Sequence, residues 1–152
     1  PTFVEVYNLE IEDNENYYVT EEGVLVHNGY KKGSTPIKEN EVTTYQDFFD
    51  RSVVGDGLEG HEVLQNSWLK KHGVISGPRL AEEASKKNPV IALPHDVHVN
   101  VNQAQRSLDI TSQTALENVN SNIKILKEQG IPQGTLDTLK EQAIKHIQDL
   151  GI

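Results

Sequence analysis

Residues Phe3 to Ile11 alternate. Phe3, Glu5, Tyr7, Leu9 and Ile11 point one way, and Val4, Val6, Asn8 and Glu10 the other, the period-two pattern of a strand. Asp13–Asn16 reads as a turn, Tyr17–Thr20 as a second strand, Glu21-Glu22-Gly23 as a tight turn and Val24–His27 as a third strand. Three short strands bury little alone, so this stretch is expected to close a larger β domain. Residues 29–44 are polar and carry Gly29, Gly33 and Pro36, the composition of a linker. From Tyr45 the pattern becomes mostly helical. Gln46–Arg51 makes a short apolar-faced helix, and His61–Lys71 fits a helix with Val63, Leu64, Trp68 and Leu69 inward. Pro78 suits the first turn of a helix running to Lys87, which Asn88-Pro89 ends. Val90–Leu93 is extended before Pro94. Asp96 caps a helix over 97–108, Thr111 or Ser112 opens one ended by Gly130, and Thr135 caps the last. In that last helix Leu136, Leu139, Ala143, Ile147 and Leu150 form one apolar stripe. The expected organisation is a β segment at 1–28, a linker at 29–44 and a mostly α-helical domain at 45–152, an α+β chain overall.

Composition narrows the chemistry. Cysteine is absent, which removes disulfides, thiolate zinc sites and a cysteine nucleophile without fixing a compartment. No apolar run approaches the length of a membrane span. Methionine is absent too, and the chain opens on Pro1-Thr2-Phe3 inside a strand pattern, so it reads as a piece of a longer protein. Charge is uneven. Residues 1–28 hold seven acids and no Lys or Arg, while the rest holds 16 acids against 14 bases, close to neutral. Nothing there resembles the basic block that drives nonspecific nucleic-acid binding.

The third strand ends in His27-Asn28-Gly29. An Asn amide can attack its own carbonyl carbon, close a succinimide and cut the chain after itself, with a neighbouring His donating a proton. An Asn-Gly turn needs no such chemistry and stays open as the alternative. The stretch Val6-Tyr7-Asn8-Leu9, Asn16-Tyr17-Tyr18-Val19 and Gly23–Asn28 resembles the C-terminal end of the intein-like HINT domain that precedes toxin modules in bacterial polymorphic toxins. The resemblance implies self-cleavage by His27 and Asn28 and a secreted toxin beyond Asn28.

Among the other histidines, His72 reads as a helix-end cation and His146 as a surface or rim residue. His61, His95 and His98 stand apart. Gly55–Gly60 is glycine-rich and delivers His61-Glu62 at the start of an element. His98 lies near the start of a helix, with Asn102 one turn later on the same face. Two His and a Glu form a workable set for a divalent ion such as Mg, Mn, Zn or Ni, although His and Glu also occur beside Gly loops with no metal role. His61-Glu62-Val63-Leu64-Gln65 lacks the second His of a zinc-peptidase helix. There is no Gly-x-Ser-x-Gly turn and no glycine-rich phosphate loop.

Leu58–Asn66, then Asn88–Pro94, then His98-x3-Asn102 resembles toxin nucleases of the HNH/endonuclease VII superfamily. That resemblance implies a compact ββα-metal-like site. His61 and His98 fall on metal ligands, Glu62 on the general base and Asn102 on the last ligand. Glu62 and Asn102 both replace histidines of the pattern, which leaves open whether His61 is the base with Glu62 or Glu59 on the metal. Arg106, one turn past Asn102, could neutralise phosphate charge, and Lys70, Lys71, Lys86 and Lys87 could follow a nucleic-acid backbone. The expected function is a secreted or cell-surface antibacterial toxin, a metal-dependent endonuclease acting on DNA in the target-cell cytoplasm, with a cognate immunity protein as partner. An RNase, a peptidase or a non-catalytic module are the alternatives.

Overall fold

The computed structural model describes residues 35–152. The strands expected over 1–28, and the cleavage site at His27 and Asn28, lie outside the described residues. The chain runs β1 (Val42–Thr44), α1 (Tyr45–Arg51), β2 (Leu58–Glu62), α2 (Asn66–Lys71), a 3₁₀ turn (Arg79–Ala81), α3 (Glu83–Lys86), β3 (Pro89–Pro94), α4 (His95–Gln105), α5 (Ala115–Glu128) and α6 (Gln133–Leu150). The architecture is α+β: helices around a three-stranded antiparallel sheet of order β1-β3-β2. No helix among the described residues is long and apolar enough to cross a membrane.

The central strand explains the layering. β3 reads Pro-Val-Ile-Ala-Leu-Pro, and Val90 to Leu93 are all fully buried, as a strand covered on both faces requires. Ile91 and Leu93 enter the larger core, which Leu64, Trp68 and Leu69, Val101, and the stripes of α5 and α6 complete. Val90 and Ala92 enter a smaller core with Ile37, Tyr45 and Phe48. Gly60 on β2 faces that smaller core closely: a Cβ there would lie 3.2 Å from the Phe48 ring.

Three expectations change. The end of the presumed linker belongs to the sheet: Ile37 is buried, Asn40 and Glu41 exchange backbone hydrogen bonds with Ala92, and β1 pairs with β3. The helix expected over 61–71 is instead the end of β2 followed by α2, because pairing to β3 holds His61 and Glu62 extended. The helix expected from Pro78 to Lys87 breaks at Glu82, whose backbone is extended and whose carboxylate accepts from the Ser76 and Gly77 N–H groups. The later helices lie near their expected places but start elsewhere: α4 follows Pro94 rather than Asp96, α5 follows Thr114 rather than Thr111 or Ser112, and α6 follows Pro132 rather than Thr135. Thr114 and Glu117 form a reciprocal capping box on α5, and Gly151 closes α6 in the left-handed conformation.

A buried amide network ties the β2 exit to the helices. Asn118 Oδ1 accepts from the Gln65 backbone N–H at 2.9 Å, and its Nδ2 donates to Gln65 Oε1 at 2.9 Å. Asn122 Nδ2 donates to the Val63 carbonyl at 3.1 Å, while its Oδ1 accepts from Gln105 Nε2 at 2.5 Å. Each of these amides is buried and partnered, so the network fixes β2, α4 and α5 relative to one another. Asn118→Leu strands the Gln65 N–H without an acceptor and is expected to cost about 1–3 kcal/mol. Urea unfolding measures this; an unchanged midpoint would mean that the network carries no stability.

Candidate functional site

β2 alternates, so Glu59 and His61 share one face and Gly60 and Glu62 the other. The first face is opposite Leu93 and Ile91 and looks toward α4. α4 starts directly after β3, and Pro94 in extended conformation sets the turn between them. His95 and His98 are three residues apart in α4, hence on one side of the helix, and that side meets Glu59.

Glu59 holds both imidazoles. His98 Nδ1–H donates to Glu59 Oε1 at 2.6 Å, and His95 Nδ1–H donates to Oε2 at 2.6 Å. A carboxylate only accepts, so these bonds place a proton on Nδ1 of each ring, and in the neutral ring the lone pair is on Nε2. His98 and His61 are 0% and 3% exposed, and their rings meet edge to face with centroids 5.4 Å apart. His61 Nε2, His98 Nε2 and Asn102 Oδ1 are all buried without a hydrogen-bond partner. Imidazoles sharing one ion at ordinary zinc–nitrogen distances have ring centres about 5 Å apart, so the spacing fits a common ion. A ligating imidazole whose second nitrogen donates to a carboxylate is the arrangement found behind metal-bound histidines. Among the described residues, no group of three or more His, Asp or Glu side chains is placed to hold an ion, and the unpartnered Asn102 Oδ1 is a further oxygen donor beside the two imidazoles.

The sequence pattern put Glu62 beside His61. The structure puts it on the opposite face, where its carboxylate meets Arg79 Nη1 at 2.8 Å and Arg79 lies over the Tyr45 ring. The physical reason is strand alternation: adjacent residues in β2 cannot both face α4. Glu59, two positions before His61, is the β2 carboxylate that faces α4. The sequence left His95 without a role and offered Glu59 only as a possible metal ligand, whereas in the structure Glu59 accepts from both His95 and His98; the i,i+2 spacing in a strand and i,i+3 spacing in a helix are the signals that group them.

The remaining candidates are dispersed. Arg106 caps the C-terminal end of α4 and is exposed. Arg51 is held by Glu41 and Asp47. Lys86 and Lys87 face Glu83, and Lys70 and Lys71 are exposed at the end of α2. His72 stacks on Trp68 and donates to the Ile110 carbonyl. His146 is buried rather than at the surface, and donates to the Ala84 carbonyl because α6 packs it toward α3.

Electrostatics separates the three site imidazoles. Burial, then the neighbouring His98 and Arg79, holds the His61 pKa well below its usual value, so this ring is neutral. The hydrogen bond to Glu59 raises His95. Burial pushes Glu59 up, but the bonds from His98 and His95 outweigh it and leave its pKa lowered.

The His61 shift sets a sign for stability. Below the ordinary histidine pKa the unfolded chain takes up a proton that the buried ring refuses, so stability falls as pH drops below about 6.5. One such group contributes a slope of about 1.4 kcal/mol per pH unit, and His146, depressed mainly by burial, adds in the same direction. Urea unfolding between pH 7 and 5 is expected to show a shallower decline in His61→Gln than in the unaltered chain; equal slopes would contradict a neutral buried His61.

The chain matches no family model, no curated protein and no solved structure.

Proposed function

We propose that the chain is a metal-dependent endonuclease of the HNH/endonuclease VII-like type, in which His61, His98 and Asn102 hold one divalent ion, of the Mg, Mn, Zn or Ni kind. The observation that carries this reading is the meeting of two buried imidazoles from β2 and α4, each with an unpartnered Nε2. The order β2, β3, α4, with one histidine near the end of the first strand and the other in the helix that follows the second, supports a ββα-metal arrangement. Glu59 orients His98 by fixing its Nδ1 proton. The chemistry supplied by an ion held there is polarisation of a scissile phosphate and stabilisation of the leaving oxygen. Arg106, at the far end of α4 and about 12 Å along the helix from His98, is proposed to neutralise a phosphate farther along a bound strand.

DNA is the proposed substrate. The near-neutral charge beyond residue 28 means that affinity comes from a few contacts rather than a basic surface. In the larger setting the chain acts as a secreted or surface-borne antibacterial toxin, released after Asn28, working in the target-cell cytoplasm and restrained in the producing cell by an immunity protein. The HINT-like pattern of residues 3–28 supports that part.

Supercoiled plasmid and transfer RNA, incubated with the chain and each of the four ions, test the reading. Nicking of plasmid that stops in EDTA and falls by about 10²-fold or more in His61→Ala and His98→Ala is expected. Cutting of RNA alone would move the substrate to RNA. No cutting with any ion, or cutting that persists in EDTA and in His61→Ala, would overturn it.

A further inference from the structure

We infer that His95, held by Glu59, is the general base of the site, the group that takes a proton from the water attacking the scissile phosphorus. The inference rests on the phosphodiester reading and supplies a role that His61 and Glu62 cannot fill. His61 is buried against His98, and Glu62 lies on the far face of β2 in an ion pair with Arg79. A base must come within hydrogen-bond reach of the water it deprotonates. Of the three imidazoles gathered around β2 and α4, His95 alone is open, with its side chain 68% exposed.

The geometry equips it for that task. Its Nδ1–H donates to Glu59 Oε2 at 2.6 Å, so the proton-accepting nitrogen of the neutral ring is Nε2, on the ring edge away from the carboxylate. A carboxylate behind an imidazole fixes the tautomer and stabilises the imidazolium that forms when the base accepts a proton. The same carboxylate holds His98 through its other oxygen, so one side chain sets the spacing between the proposed ion-holding ring and the proton-accepting ring. His95 is the first residue of α4, and its backbone N–H donates to the Gly57 carbonyl, which fastens it to the loop ahead of β2.

The step balances as a hydrolysis. The water oxygen forms a bond to phosphorus while one of its protons passes to His95 Nε2. The bond from phosphorus to the leaving ester oxygen breaks on the opposite side, that oxygen takes a proton from solvent water, and His95 releases its proton to solvent. The products are a phosphomonoester end and a free hydroxyl, and Nε2 regains its lone pair.

Plasmid cleavage by His95→Ala, with and without added imidazole, tests this, alongside a cobalt(II) titration followed by visible absorption. Loss of about 10²-fold or more in cleavage, partial recovery with imidazole and a cobalt affinity within about threefold of the unaltered chain are expected. Recovery by imidazole separates a missing base from a disturbed fold, and His95→Gln, which keeps the side chain polar, is expected to be as impaired as His95→Ala. His95→Ala cutting at the unaltered rate, or loss that imidazole does not relieve, would overturn this inference alone. An unaltered chain that cuts no nucleic acid with any ion would overturn the phosphodiester reading and this inference with it.

Discussion

A single carboxylate bridging two imidazoles organises this molecule's candidate chemistry. Glu59 reaches from β2 to the first turn of α4 and spends one oxygen on His98 and the other on His95. That arrangement places a proton on Nδ1 of both rings, since the carboxylate accepts and cannot donate. It also divides their roles. His98 is turned inward against His61, and His95 outward to solvent. Without Glu59, His98 would bury both ring nitrogens with no partner for either, a costly state for a polar group inside a core.

The fold is arranged to keep that bridge in register. β3 lies between β1 and β2 and is buried on both faces, so its pairing fixes Glu59 opposite Leu93 and His61 opposite Ile91. A slip of one residue would swap the two faces of β2, sending Glu62 toward α4 and His61 toward Phe48. Asn118 and Asn122 resist such a slip by holding the backbone just past β2, at Gln65 and Val63. The core thus carries a polar framework whose function is to fix position. It coexists with unpartnered nitrogens on His61 and His98, which is the pattern expected where a fold gives up local satisfaction for a site.

Much of this was legible along the chain, and the failures have specific causes. The stripes of the last two helices and the buried run before Pro94 were readable because their periodicity is long and local. The stretch 61–71 read as a helix because Val63, Leu64, Trp68 and Leu69 fall at helical spacing, while the force that extends His61 and Glu62 comes from β3, some thirty residues away in sequence. Residues 37–44 read as a linker because a three-residue edge strand carries almost no pattern of its own. Pairing His61 with His98 was expected from motif order, and the structure does bring them together. Glu62 was grouped with His61 by adjacency, and adjacency in a strand means opposite faces. His95 escaped a role, and Glu59 was offered to the metal rather than to two imidazoles, because their partnership exists only once β2 and α4 are packed.

The central claim is that the rings at positions 61 and 98 share one cation. The most direct measurement is anomalous diffraction from crystals of the chain soaked separately in manganese, zinc and nickel salts, each collected at its own absorption edge. The expected result is one peak within about 2.0–2.3 Å of Nε2 of both His61 and His98, with Asn102 Oδ1 turned toward it. Peaks elsewhere only, or none at any edge with both rings ordered as described, would contradict the account.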